Sequence, residues 1–159
     1  MLKYLTNLNI KFDEQKLLDD FHSVKFLTSD KFSPNPYNTA WLKGRVNHQC
    51  DELLRIKNYL SNKLNCKVSA LCYIQEKNKE ILSHKDTSCH TSINILLSKN
   101  AAPVCFEDQY LIEYNCAILN VGEFLHSVPA FSEDRKIVRF AIDSTALDYY
   151  KICKILTAI

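Results

Sequence analysis

The chain has 159 residues, 47% apolar and 24% charged, with a formal net charge of +2. That length is expected to make one domain with a real buried core, and a near-neutral charge with scattered Lys and Arg gives no support for a nucleic-acid partner. With only two glycines, Gly44 and Gly122, glycine-rich phosphate loops are excluded, and P-loop and Rossmann chemistry with them.

In chain order, Lys3 to Ile10 alternates weakly and reads as an edge strand. Asp13 is placed to cap a helix running to about Val24, with Leu17, Leu18 and Phe21 on one face. Phe26 to Ala40 carries Ser33-Pro34-Asn35-Pro36 and Asn38, turn chemistry that predicts a loop, with a pocket wall and a plain surface connection both open. From Asn47, a candidate cap, Leu53, Ile56, Leu60 and Leu64 set a helical period that Asn65 would end. The period then becomes two. Strands are predicted at Lys67–Gln75, Glu80–Ser83, Thr91–Leu97, Val104–Glu107, Tyr110–Leu119, Phe124–Val128 and Lys136–Ile142. Thr145 to Leu156 returns to helix, with Leu147, Tyr150 and Cys153 on one face. The expected architecture is mainly β with flanking helices (α+β): a jelly roll with helices packed on one outer face. It divides into N-terminal helical support (1–66), a jelly-roll core (about 67–143) and a C-terminal helix (145–156).

Within this block, His84 and Asp86 form a His-x-Asp pair that a strand would turn to one side. His126 follows in another predicted strand, and Arg135 nine residues later. Two imidazoles and a carboxylate are the ligand set of the facial triad that binds non-haem Fe(II) with coordination positions left open. A guanidinium behind them is a planar fork suited to a carboxylate. Arg139 shares the strand face of Arg135 about 13 Å away, so it would pair with an internal acid or a polar substrate group. His90 lies near the motif but lacks an acid at the required spacing, and His22 and His48 read as ordinary surface or core residues.

The combination H-x-D, distal His and Arg nine residues on resembles the Fe(II)/2-oxoglutarate-dependent dioxygenases, and within them the prolyl-hydroxylase-like branch. HSVPAFSEDR is similar to the family's H-x-V…R signature, and the likeness covers roughly residues 68–143. It implies a double-stranded β-helix (jelly roll, cupin-like). It implies iron held by His84, Asp86 and His126, and 2-oxoglutarate held by Arg135 with Tyr73, eleven residues before His84, as a hydrogen-bond donor. The implied activity is hydroxylation of a C–H bond in an amino-acid residue or small metabolite, with release of succinate and CO2. Asn94, if it and Ser92 face the barrel interior, is a further candidate for cosubstrate binding; satisfied buried polarity is the alternative. The chain departs from the family in a short Asp86–His126 gap and in QEKNKE standing where family glycines occur.

Two other readings stay open: a cupin-like metal-binding module without this catalysis, and a β-sandwich interaction module. Seven cysteines, an odd number with no C-x-x-C pair and no secretory signal, read as reduced structural thiols of a cytoplasmic protein. Cys66, Cys72, Cys105 and Cys116 sit in apolar or strand-like surroundings, while Cys89 would be an oxidation hazard near iron. No run of eighteen apolar residues suggests a membrane span.

Overall fold

The computed structural model describes residues 3–28, 41–99 and 102–158. Its elements are β1 (Leu5–Asn7), α1 (Glu14–Ser23), β2 (Phe26–Thr28), β3 (Trp41–Arg45), α2 (Asp51–Leu64), β4 (Lys67–Gln75), β5 (Ile81–His84), β6 (Ser92–Leu96), β7 (Val104–Phe106), β8 (Tyr110–Ile112), β9 (Cys116–Leu119), β10 (His126–Val128), β11 (Arg135–Asp143) and α3 (Tyr149–Thr157). Seven strands form one antiparallel sheet in the order β1-β9-β6-β11-β4-β3-β2, and four form a second, β5-β10-β7-β8. Chain neighbours β4 and β5 lie in different sheets, as do β5 and β6. This winding between two facing sheets is the double-stranded β-helix.

The period of two in β11 assigns its two faces. Val138, Phe140 and Ile142 join the buried side chains of Leu17, Phe21, Leu53, Ile56, Leu60 and Ile152, so all three helices cover the outer face of the large sheet. Arg135, Ile137 and Arg139 consequently point the other way, between the sheets. There Leu5, Val104, Phe106, Ala117 and Leu119 fill one end. Ile81, Ala102 and Val128 form a further small cluster, with Trp41 and Phe131 packed against it.

The helices begin where side chains satisfy their first N–H groups. Asp13 Oδ1 accepts from the Lys16 N–H at 3.1 Å, as its position predicts. Asn47 is not the cap of α2. Its Oδ1 accepts from the Gln49 N–H at 2.8 Å, closing a turn before the helix. The Leu53 N–H is capped instead across the helix pair, by Asp20 Oδ2 of α1 at 2.9 Å. Asn65 ends α2 in the left-handed region, φ 49°. Asp148 caps α3, and Tyr149, Ile152 and Cys153 make its buried face. Of the expected face, Cys153 is buried and Leu147 packs against the core, while Tyr150 is about half exposed.

Two expectations fail where the chain changes partner. Phe26–Thr28 is a strand rather than loop, pairing with β3, which the sequence did not reveal; residues 29–40 of the expected loop lie outside the described residues. The described residues of segment 1–66 therefore add three strands to the large sheet besides two helices. Tyr110–Leu119 is two strands, not one: β8 pairs with β7 in the small sheet, and β9 with β6 and β1 in the large one. The alternation continues through the stretch, but its hydrogen-bonding partners do not.

Candidate metal centre

His84 closes β5 and His126 opens β10. The two are direct cross-strand partners, with ring centroids 4.4 Å apart. Asp86 lies two residues past the end of β5, so strand alternation alone does not orient it. Its N–H donates to the Val121 carbonyl at 3.0 Å, fixing the carboxylate over the imidazoles. Asp86 Oδ1 stands 3.4 Å from His84 Nε2 and 3.7 Å from His126 Nε2. One donor atom from each residue lies within 4.8 Å of the others, so the trio can hold a metal ion. Bonds of about 2.0–2.2 Å need neighbouring donors roughly 3 Å apart, so the three side chains would draw together on a bound ion. The His84 Nδ1 sits 2.7 Å from the Leu82 carbonyl, and the His126 Nδ1 3.4 Å from that of Phe124. An N–H at each Nδ1 turns the Nε2 lone pair toward the shared centre.

The same cavity, about 440 Å³, is lined by Tyr73, Asn94, Arg135 and Arg139. Arg135 is buried, its Nε donating to the Ala102 carbonyl at 3.2 Å and its Nη2 to Tyr114 Oη at 2.7 Å. Among the described residues no carboxylate pairs with it. Asn94 Nδ2 donates to the same Tyr114 Oη at 3.3 Å. Tyr73 stands opposite Ile137, between the two arginines in register, with its ring edge-on to Trp41 at 5.3 Å. Arg139 reaches across from the large sheet and pairs its Nη2 with Asp86 Oδ2. His90 is exposed and outside the cluster. Cys89 is buried, its thiol donating to the Thr91 carbonyl at 2.9 Å. A wider hollow of about 980 Å³ behind Ala102 and Tyr114 contains none of the three donors.

Tyr114 is the residue that sequence reading missed. It falls inside the stretch read as one strand, and it sits where the chain crosses from one sheet to the other. The interruption Glu113-Tyr114-Asn115 was the available signal.

No protein-family model matches the sequence, and no curated protein does. Solved structures do. A prolyl hydroxylase from Trichoplax adhaerens, in complex with a hypoxia inducible factor oxygen degradation domain peptide fragment, superposes with a TM-score of 0.67 at 8% identity, over 87% of this chain and 82% of that one. The viral collagen prolyl hydroxylase of Paramecium Bursaria Chlorella virus-1, as its 2OG complex, gives 0.59 at 12% identity over 90% and 97%. HygX from Streptomyces hygroscopicus, with nickel, 2-oxoglutarate and hygromycin B bound, gives 0.58 at 7% identity over 89% and 82%. The chain has a 2-oxoglutarate-dependent dioxygenase fold.

In this oxygenase fold, charge is distributed unevenly over the trio. Burial would raise the Asp86 carboxyl, but His84 and Arg139 outweigh it and hold the group below the usual carboxylate range. His84 is raised, chiefly by its hydrogen bond to Asp86. His126 is pushed down to about 4 by burial, so its imidazole is neutral at pH 7 and ready to donate a lone pair. Burial also raises the Tyr73 hydroxyl, which keeps it protonated as a donor. No helix among the described residues is long and apolar enough to cross a membrane.

Proposed function

We propose that this chain is an Fe(II)- and 2-oxoglutarate-dependent oxygenase that hydroxylates a C–H bond of an amino-acid residue or small metabolite. The observation that carries this reading is one cavity holding both a two-histidine, one-carboxylate donor set and a buried arginine with no acidic partner among the described residues. A guanidinium buried without a carboxylate is costly. A dicarboxylic cosubstrate would supply the missing anion.

The donor set fits iron. Two imidazole nitrogens and one carboxylate oxygen on one side leave the opposite side open. His84, Asp86 and His126 would hold the ion, and Arg135 the far carboxylate of 2-oxoglutarate, its fork aligned by Tyr114 and the Ala102 carbonyl. Tyr73 and Asn94 line the cavity wall as hydrogen-bonding groups for the cosubstrate. Bound Fe(II) would supply oxygen activation, with 2-oxoglutarate leaving as succinate and CO2. The protein's part is to orient: Tyr114 ties Arg135 to Asn94, and the Asp86–Arg139 pair joins the loop after β5 to the large sheet across the cavity. Ile81, Val104, Val128 and Ile137 line it as well, and this apolar lining displaces water around the reacting groups.

The relative seen with a peptide fragment and the one seen with hygromycin B support peptidyl and small-molecule substrates respectively, and both remain within the proposal. Its test is succinate formation. Purified protein should convert 2-oxoglutarate slowly without substrate, and only with Fe(II) and dioxygen both supplied. Asp86→Ala should abolish the conversion. Metal binding with no succinate, across peptide and metabolite pools, would favour the cupin-like alternative.

A further inference from the structure

Asp86 presents its two oxygens to different partners. Oδ1 faces both imidazoles at 3.4 and 3.7 Å, while Oδ2 is paired with Arg139 of the large sheet. Arg139 is well placed to hold that division. Its backbone lies in β11 with a strand on each side, opposite Leu71 of β4 and Asn94 of β6. Its Nε is buried without a partner, so the side chain is not positioned by other contacts of that nitrogen. It is also about four strand residues, roughly 13 Å, from Arg135, too far to share a carboxylate with it.

We propose that Arg139 is a positioning residue that restricts Asp86 to one bond with the metal, reserving the remaining coordination positions for the chelating cosubstrate and dioxygen. The proposal rests on the metal-centre reading given above. A carboxylate can bind a cation through one oxygen or both. Three protein donors leave three positions of an octahedron, and a second bond from Asp86 would consume one. A guanidinium on Oδ2 prevents this through charge-assisted hydrogen bonding. It does so at a cost, because its positive charge also opposes the cation.

These two effects have opposite signs, which separates positioning from support of the fold. In Arg139→Met, cobalt(II) should bind several-fold more tightly, since the opposing charge is gone and Oδ2 is released. 2-Oxoglutarate should bind the cobalt-loaded variant about tenfold more weakly, the equivalent of about 1.4 kcal/mol. The visible cobalt spectrum without cosubstrate should change as Asp86 closes onto the ion. Arg139→Lys, which restores a charged donor to Oδ2, should return both affinities and the spectrum toward the parent values. Arg139→Gln keeps a neutral donor and should tighten cobalt binding with cosubstrate affinity near that of the parent.

Equilibrium titrations of cobalt(II), then of 2-oxoglutarate, read all of this without turnover. Weakening of both ligands together in the Met and Gln variants, or no change in either, overturns the assignment of Arg139. Failure of the parent chain to bind cobalt(II) would instead overturn the metal-centre reading beneath it.

Discussion

His84 and His126 are paired across two strands, yet their proton affinities move in opposite directions, and this gives the metal-free chain a defined pH response. Burial lowers His126 from 6.5 to about 4, so between those values the unfolded chain takes up a proton that the folded chain refuses. Stability should fall as pH drops through that window, by about 3 kcal/mol at most. His84 is raised above 6.5, first by its hydrogen bond to Asp86. Its contribution is complete below 6.5 and is lost as pH rises through the folded value. Urea midpoints measured with a chelator should therefore peak near pH 6.5 for this pair. His126→Gln should flatten the acid limb and His84→Gln the alkaline limb; unchanged limbs would contradict the assignments. The candidate ligands and Arg135 were legible in the sequence because their spacing is a property of one chain. Tyr114 was not, because its contact with Arg135 depends on how the sheets are stacked. The Arg139–Asp86 pair was legible only as an unnamed internal acid.

Both glycines lie where neighbouring elements come close, and neither has a positive φ. A Cβ on Gly122 would stand 2.5 Å from His90 Cα and Nδ1, and the Gly122 N–H donates to the His90 carbonyl at 2.9 Å. This turn clamps the loop that carries Asp86. Gly122→Ala should thus weaken divalent-metal binding about tenfold, near 1.4 kcal/mol, with the fold retained. On Gly44, a Cβ would overlap Val24 Cγ1 and crowd the Phe26 ring. Gly44→Ala should lower stability by about 1–3 kcal/mol and leave metal affinity unchanged. Paired melting and titration data check both outcomes. The element reading from sequence was strongest for β4, β6 and β11, whose alternation runs long and uninterrupted. It failed for β3, since WLKGR alternates no apolar residues, and for β2, where the following prolines outweighed three strand residues.

Across the whole molecule, the helix-covered core and the candidate cavity are on opposite faces of the large sheet. Phe140, fully buried among the helices, should cost about 3–5 kcal/mol when cut to alanine. Chelation, in contrast, should leave the fold intact, because the three donors contribute little apolar burial. Adding nickel(II) with 2-oxoglutarate should raise the unfolding midpoint, by about 2.7 kcal/mol of stability at one hundred times the dissociation constant. The β-rich architecture with flanking helices was readable from the change of period after Asn65. How its strands are shared between sheets was not, because pairing is set by contacts distant in sequence.

The most direct test is an anaerobic titration of 2-oxoglutarate into the Fe(II)-loaded chain, followed by the weak metal-to-ligand charge-transfer absorption. The parent should give a saturable band that needs Fe(II) and disappears in Asp86→Ala. In Arg135→Lys, whose ammonium cannot reproduce the two-pronged fork, saturation should require at least about tenfold more 2-oxoglutarate. A parent chain that shows no band with both Fe(II) and 2-oxoglutarate in excess would contradict the account.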